Sequence, residues 1–154
     1  MEWSGKTLDT ISAFSLDGMR LKGRVVDVYD GDTMTLILDP WGVSAWKFQV
    51  RIAGIDTCEI RSKEEALVEK AKQTRAKVVE LVTGGKFVGV AEKKEVRRAL
   101  NGDDVFAVDI ECGKFDKYGR LLGQVTTCDG KDVAGELLAL GLAKTYDGGK
   151  KEDW

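Results

Sequence analysis

Apolar positions recur every second residue in some stretches of this 154-residue chain and every third or fourth in others, and the two periods divide it into strands and helices. The run "GRVVDVYDGDTMTLILDPWG" holds two β-rich stretches broken at Asp30-Gly31. Asp39-Pro40-Trp41-Gly42 ends it, with proline at the second position of a tight turn. In "AWKFQVRIAGI" the alternation puts Trp46, Phe48, Val50 and Ile52 on one face and Lys47, Gln49 and Arg51 on the other, which completes a three-stranded meander. A helix is predicted over residues 62 to 82. Ser62 with Glu65 forms a capping box, Leu67, Ala71, Val78 and Leu81 keep helical spacing, and Gly84-Gly85 ends it. "KFVGVA" reads as a short strand, and "EKKEVRRALNGDD" as a helical turn or an exposed insertion.

In the last third, "VFAVDIECG" alternates again with Phe106, Val108 and Ile110 inward, and "RLLGQVTTCDGKD" is a strand ending in an Asp129-Gly130 turn. "VAGELLALGLA" is a short helix opened by Asp132 and closed near Gly141. Strands, a helix, then strands and a helix indicate an α+β fold around a small curled antiparallel sheet. Residues 1 to 22 lack clean periodicity and read as an N-terminal extension, with a single domain over 23 to 154.

Composition narrows the chemistry more than the fold. With 43% hydrophobic residues the chain can bury one good core but not two. No apolar run is long enough to span a bilayer, and no secretory signal is visible, so an intracellular or virion-associated monomer with no membrane partner is expected. There is no histidine, which removes the usual general base and the usual zinc ligand together. Three cysteines, Cys58, Cys112 and Cys128, lack paired spacing and read as free thiols. Catalysis must then fall to carboxylates, Arg, Lys, Tyr or Cys. A net charge of −2 gives no global attraction for polyanions, so nucleic acid would have to be met by a local basic patch.

Three segments carry polar residues that local pattern does not require: Asp30-Gly31-Asp32-Thr33, residues 51 to 59 from Arg51 to Glu59, and Asp116-Lys117-Tyr118-Gly119-Arg120. Each alone is explained by a turn, a strand end or a polar loop. Together, carboxylates at neighbouring strand ends make a hard-oxygen pocket of the kind Ca²⁺ or Mg²⁺ prefers, and two arginines suggest an anion such as phosphate beside it. The loop is no EF-hand, since counting from Asp30 puts Thr35 at its glycine position and Trp41 at its glutamate position.

The ordered set "DGDT", "RIAGIDTCE", "DKYGR" and "GLAK" resembles the staphylococcal nuclease (thermonuclease) family, over about residues 23 to 147. That resemblance implies a five-stranded OB-type barrel with two to three helices, and Ca²⁺-dependent hydrolysis of single- and double-stranded DNA and RNA to 3′-phosphate ends. It implies that Asp32, Asp56 and the Thr57 carbonyl hold Ca²⁺, with Asp30 supporting them. It also makes Glu59 the residue that activates water, gives Arg51 and Arg120 the scissile phosphate, and lines the nucleotide site with Lys117, Tyr118 and Tyr146. Three departures stand out: Cys58 replaces the family's proline, residues 86 to 104 look longer than the family's link, and the C-terminal helix is missing or reduced. An inactive or weak nucleic-acid- or protein-binding module on the same barrel is the alternative. Such modules lose carboxylates or arginines that are all present here.

Overall fold

A computed structural model describes residues 2–154. Five strands close into a barrel in the order β1 (Arg20–Asp30), β2 (Thr33–Leu38), β3 (Trp46–Ile52), β6 (Leu121–Thr127), β5 (Ala107–Phe115). A two-stranded ribbon of β4 (Ile55–Thr57) and β7 (Ala143–Thr145) lies outside it, and the helices are α1 (Glu65–Val82), α2 (Lys93–Leu100) and α3 (Val133–Ala139). This is the expected α+β barrel. The sheet is not wholly antiparallel, because β3 and β6 run parallel from the Val50–Leu121 pair onward. A closed ring with an odd number of strands cannot alternate direction at every step, so closure with five strands requires a parallel neighbour.

The core is aliphatic. Val25, Leu36, Leu38, Val50, Val108, Ile110, Leu121 and Val125 fill the barrel, and Val78, Val79, Val96, Leu100 and Leu137 seal it from the helices. Leu16 is buried among them, and Gly18 and Met19 exchange backbone bonds with Cys112 before β1 begins. Phe14, by contrast, is exposed.

Four local expectations change. The long helix starts at Glu65 with Glu64 as its cap residue, and no side chain caps it. Ser62 Oγ accepts from Glu64 N at 3.2 Å, two residues on, so the serine shapes a turn before the helix and not its first ring. "KFVGVA" is not a strand, because the closed barrel has no free edge for it. Phe87 instead packs edge-on to Phe106, with ring centroids 5.9 Å apart. The charged stretch after it is a real helix, α2, which buries Val96 and Leu100 and pairs Arg97 with Asp27 at 3.0 Å. Finally, Trp46 is exposed while Arg51 is buried. β6 covers only the Val50–Ile52 end of β3, so the alternation ends up inward at one end of the strand and at neither face of the other.

Gly31 sits at the β1–β2 turn for space and not for a left-handed backbone, since its φ is not positive. A Cβ there would lie 2.3 Å from Thr74 Cγ2 and 2.8 Å from Thr57 Cγ2. The contact presses the turn onto α1 and β4 at once. Gly31→Ala must push both elements back, and we expect it to destabilise the protein by about 1–3 kcal/mol in urea unfolding, with little change in m-value.

Candidate active site

The barrel's register gathers the site. Thr33 pairs with Arg51 across β2 and β3, and Ile52 N donates to the Asp32 carbonyl at 2.8 Å, so the β1–β2 turn stands beside the end of β3. The chain then reverses at Gly54 (φ +84) into β4, which brings Asp56 back over Arg51. β7 holds β4 in place through the Asp56–Lys144 pair, and Tyr146 N donates to the Gly54 carbonyl at 2.9 Å. The parallel pairing of β3 with β6 sets Arg120, just before Leu121, on the same side.

The result is a cavity of about 190 Å³ lined by Asp30, Asp32, Arg51, Asp56, Thr57, Glu59, Arg120 and Lys151, among others. Asp32, Arg51 and Asp56 are 6%, 6% and 5% exposed, an unusual degree of burial for charged side chains. Arg51 lies between the two carboxylates, with Nη1 3.3 Å from Asp32 Oδ2 and Nη2 3.6 Å from Asp56 Oδ1. Nη1 also donates to the Ile52 and Ile55 carbonyls at 3.0 and 2.9 Å. Asp32 Oδ2 accepts from Thr57 N at 3.2 Å. Asp56 Oδ1 and Thr57 Oγ1 are buried with no hydrogen-bond partner. Asp56 Oδ1 is met by ion pairs alone, from Arg51 Nη2 and Lys151 Nζ, so this buried oxygen keeps hydrogen-bonding capacity that a bound cation could use.

Glu59 stands at the rim with its side chain 71% exposed. Arg120 is half-buried, and Asp116 fixes it: Nε donates to Asp116 Oδ2 at 2.8 Å, while Asp116 Oδ1 accepts from the Arg120 and Tyr118 backbone N–H groups. Burial pushes the Asp116 carboxyl up, but these donors together hold it below the usual carboxylate range. A second hollow of about 510 Å³ adjoins the first through Arg51 and Arg120 and is lined by Lys117, Tyr118 and Tyr146. Tyr118 is 73% exposed, whereas Tyr146 is half-buried with the Arg51 guanidinium 5.8 Å from its ring centre. Every residue singled out from sequence therefore lines one of these two adjoining hollows. Cys58 is buried beside Asp56 and Glu59, and burial raises its thiol, which disfavours the thiolate a nucleophile needs.

Two residues of consequence were not singled out. Arg75, on α1, is buried and donates to the Tyr29 carbonyl at 2.8 Å and to the Ala91 carbonyl at 3.0 Å, tying the end of β1 to the segment before α2. Its signal was a cation on the apolar stripe, four residues from Ala71 and three from Val78. Lys151 reaches back to the acidic pocket, with Nζ 3.3 Å from Asp56 Oδ1 and 3.7 Å from Glu59 Oε1. Nothing local in the sequence signals that contact.

A closed OB-type barrel with buried carboxylates between two arginines defines the class of domain, and the sequence comparison agrees with it. The family model described as "Staphylococcal nuclease homologue" matches residues 49–153, more than half of the chain, and the chain belongs to that family. No curated protein matches it. The match begins inside β3, so the turn that carries Asp30 and Asp32 lies outside it and is joined to the rest of the site by strand pairing and by the contacts of Asp32 with Arg51 and Thr57. Among the described residues no helix is long and apolar enough to cross a membrane.

Asp30 gives the site a pH dependence. Burial, followed by the charge of Asp32, pushes its carboxyl up to about 7, while Arg51 acts in the opposite direction. Folding thus raises this pKa above its unfolded value of 3.8, so the folded protein holds a proton that the unfolded chain has released between those values. Stability of the metal-free protein should fall as pH rises through that window and reach its floor above pH 7. Urea unfolding of wild type and Asp30→Asn at pH 5 and pH 8 checks this, and the variant should show the flatter dependence.

Proposed function

We propose that this protein is a Ca²⁺-dependent phosphodiesterase that hydrolyses single- and double-stranded DNA and RNA to 3′-phosphate ends. The observation that carries the reading is the pair Asp32, from the β1–β2 turn, and Asp56, from β4, both buried in a pocket that two arginines line, with Asp56 Oδ1 held by ion pairs but by no hydrogen bond among the described residues. The donor set fits a hard cation. Among the described residues no three acidic or thiol side chains converge on one point, so two carboxylates and the Thr57 carbonyl would hold it, with Asp30 in support. Bound there, Ca²⁺ would supply charge neutralisation and polarise a phosphoryl oxygen.

The chain's own residues account for the remaining steps. Glu59, exposed at the rim, takes a proton from a water that attacks phosphorus. The new P–O bond forms as the bond to the 5′ oxygen breaks, which leaves the phosphate on the 3′ side. Arg120, held by Asp116, donates to the phosphoryl oxygens as charge builds on them. Arg51 spends Nη1 on carbonyls and Asp32, while its Nη2 stands 3.6 Å from Asp56 Oδ1 without a hydrogen bond among the described residues, which leaves its N–H groups for the phosphate. Lys117, Tyr118 and Tyr146 give the adjoining hollow one cation and two rings for the nucleotide.

The test is cleavage of a fluorescent single-stranded DNA in millimolar Ca²⁺. Cleavage should vanish with chelator, and the fragments should resist polymerase extension until a phosphatase removes their 3′ ends. Glu59→Gln should lower kcat by about 10²–10⁴-fold with Ca²⁺ binding retained. Arg120→Ala should lower it by about 10²–10³-fold. Binding of DNA without cleavage in the wild type would instead identify the inactive binding module.

A further inference from the structure

The segment after β7 lies across the acidic pocket, and one of its side chains stands where positive charge is wanted. Tyr146 ties its near end to Gly54. At its far end the indole of Trp154 sits between two ammonium groups, with Lys70 Nζ and Lys144 Nζ each 4.7 Å from the ring centre, and Lys144 Nζ also donates to the Asp153 carbonyl. Between these anchors, Gly148 (φ +94) lets the backbone turn, and Lys151 comes within 3.3 Å of Asp56 and 3.7 Å of Glu59. The two carboxylates it faces are the buried Asp56, through the same Oδ1 that Arg51 approaches at 3.6 Å, and Glu59 at the rim.

The strap is held loosely enough to leave. The Lys151 side chain is 47% exposed, and an ion pair with that much solvent is weak. The indole N–H of Trp154 is buried without an acceptor, so its seat carries an unmet hydrogen bond. A lysine ammonium is a compact charge without fixed geometry, and it can neutralise a carboxylate pair without filling a cation's coordination shell.

Building on the metal site proposed above, we propose that Lys151 is an internal competitor for the divalent cation. In the free protein its ammonium pairs with both Asp56 and Glu59. A cation that takes Asp56 expels it, and residues 146–154 swing away about the glycines and withdraw Trp154 from between its two lysines. The strap thereby sets the affinity of the site for metal and couples metal binding to opening of the pocket.

Calorimetric titration with Ca²⁺ tests this, alongside tryptophan emission with Trp154→Phe as the assignment control. Lys151→Met should bind Ca²⁺ roughly three- to tenfold more tightly than wild type. Lys151→Arg, which keeps the charge, should stay near wild type and separates loss of competition from a change in folding. Wild-type emission should shift as Ca²⁺ saturates, and the shift should be absent in Trp154→Phe. Equal or weaker binding by Lys151→Met, or an unchanged Trp154 signal at saturation, overturns the strap and leaves the metal site standing. No Ca²⁺ binding by wild type or variant overturns both.

Discussion

The guanidinium of Arg51 between two buried carboxylates is the interaction on which the rest of the site depends. Asp32 comes from the β1–β2 turn and Asp56 from β4, and without a cation between them their burial would be prohibitive. Arg51 supplies that cation and uses two further bonds to hold the backbone turn that returns Asp56 to it. One side chain therefore fixes both the charge balance and the geometry of the β3–β4 reversal.

The barrel makes this arrangement possible. Register between β2 and β3 sets Asp32 against the end of the strand that carries Arg51, and the parallel β3–β6 pair brings Arg120 to the same rim. The β4–β7 ribbon then closes one side and places Tyr146 beside the guanidinium. The helices act from behind. Arg75 clamps the end of β1, and Thr74 packs against the turn at Gly31, so the acidic turn is braced by α1 without any helical residue entering the pocket. The charge balance that results is incomplete. Arg51 stands 3.6 Å from Asp56 Oδ1 without hydrogen-bonding it, and Lys151 on a lightly held strap is the only other cation that approaches this oxygen among the described residues.

Residues whose role is set by nearby chain were legible in the sequence. Strand alternation placed β1, β2 and β5, and Asp132 does cap α3, accepting from Gly135 N at 3.2 Å. The site motifs were legible as a set because each needs its own residue types at a strand end. What depends on closure was not legible: the parallel pair, the burial of Arg51 and the missing strand at "KFVGVA". Each follows from which edges remain free once five strands have met, a property of no single segment. Lys151 was invisible for a related reason, since its partners lie about ninety residues earlier and its own neighbours are ordinary surface charges.

The central claim is that Asp32 and Asp56 form a cation site whose charge Arg51 offsets in part when no metal is present. Urea unfolding of Arg51→Met with and without Ca²⁺ tests it most directly. Removing the guanidinium leaves two buried carboxylates uncompensated, so the metal-free variant should lose about 3–5 kcal/mol, and saturating Ca²⁺ should restore more stability to it than it adds to the wild type. A variant as unstable in Ca²⁺ as in chelator, or one that loses little in chelator, would contradict the account.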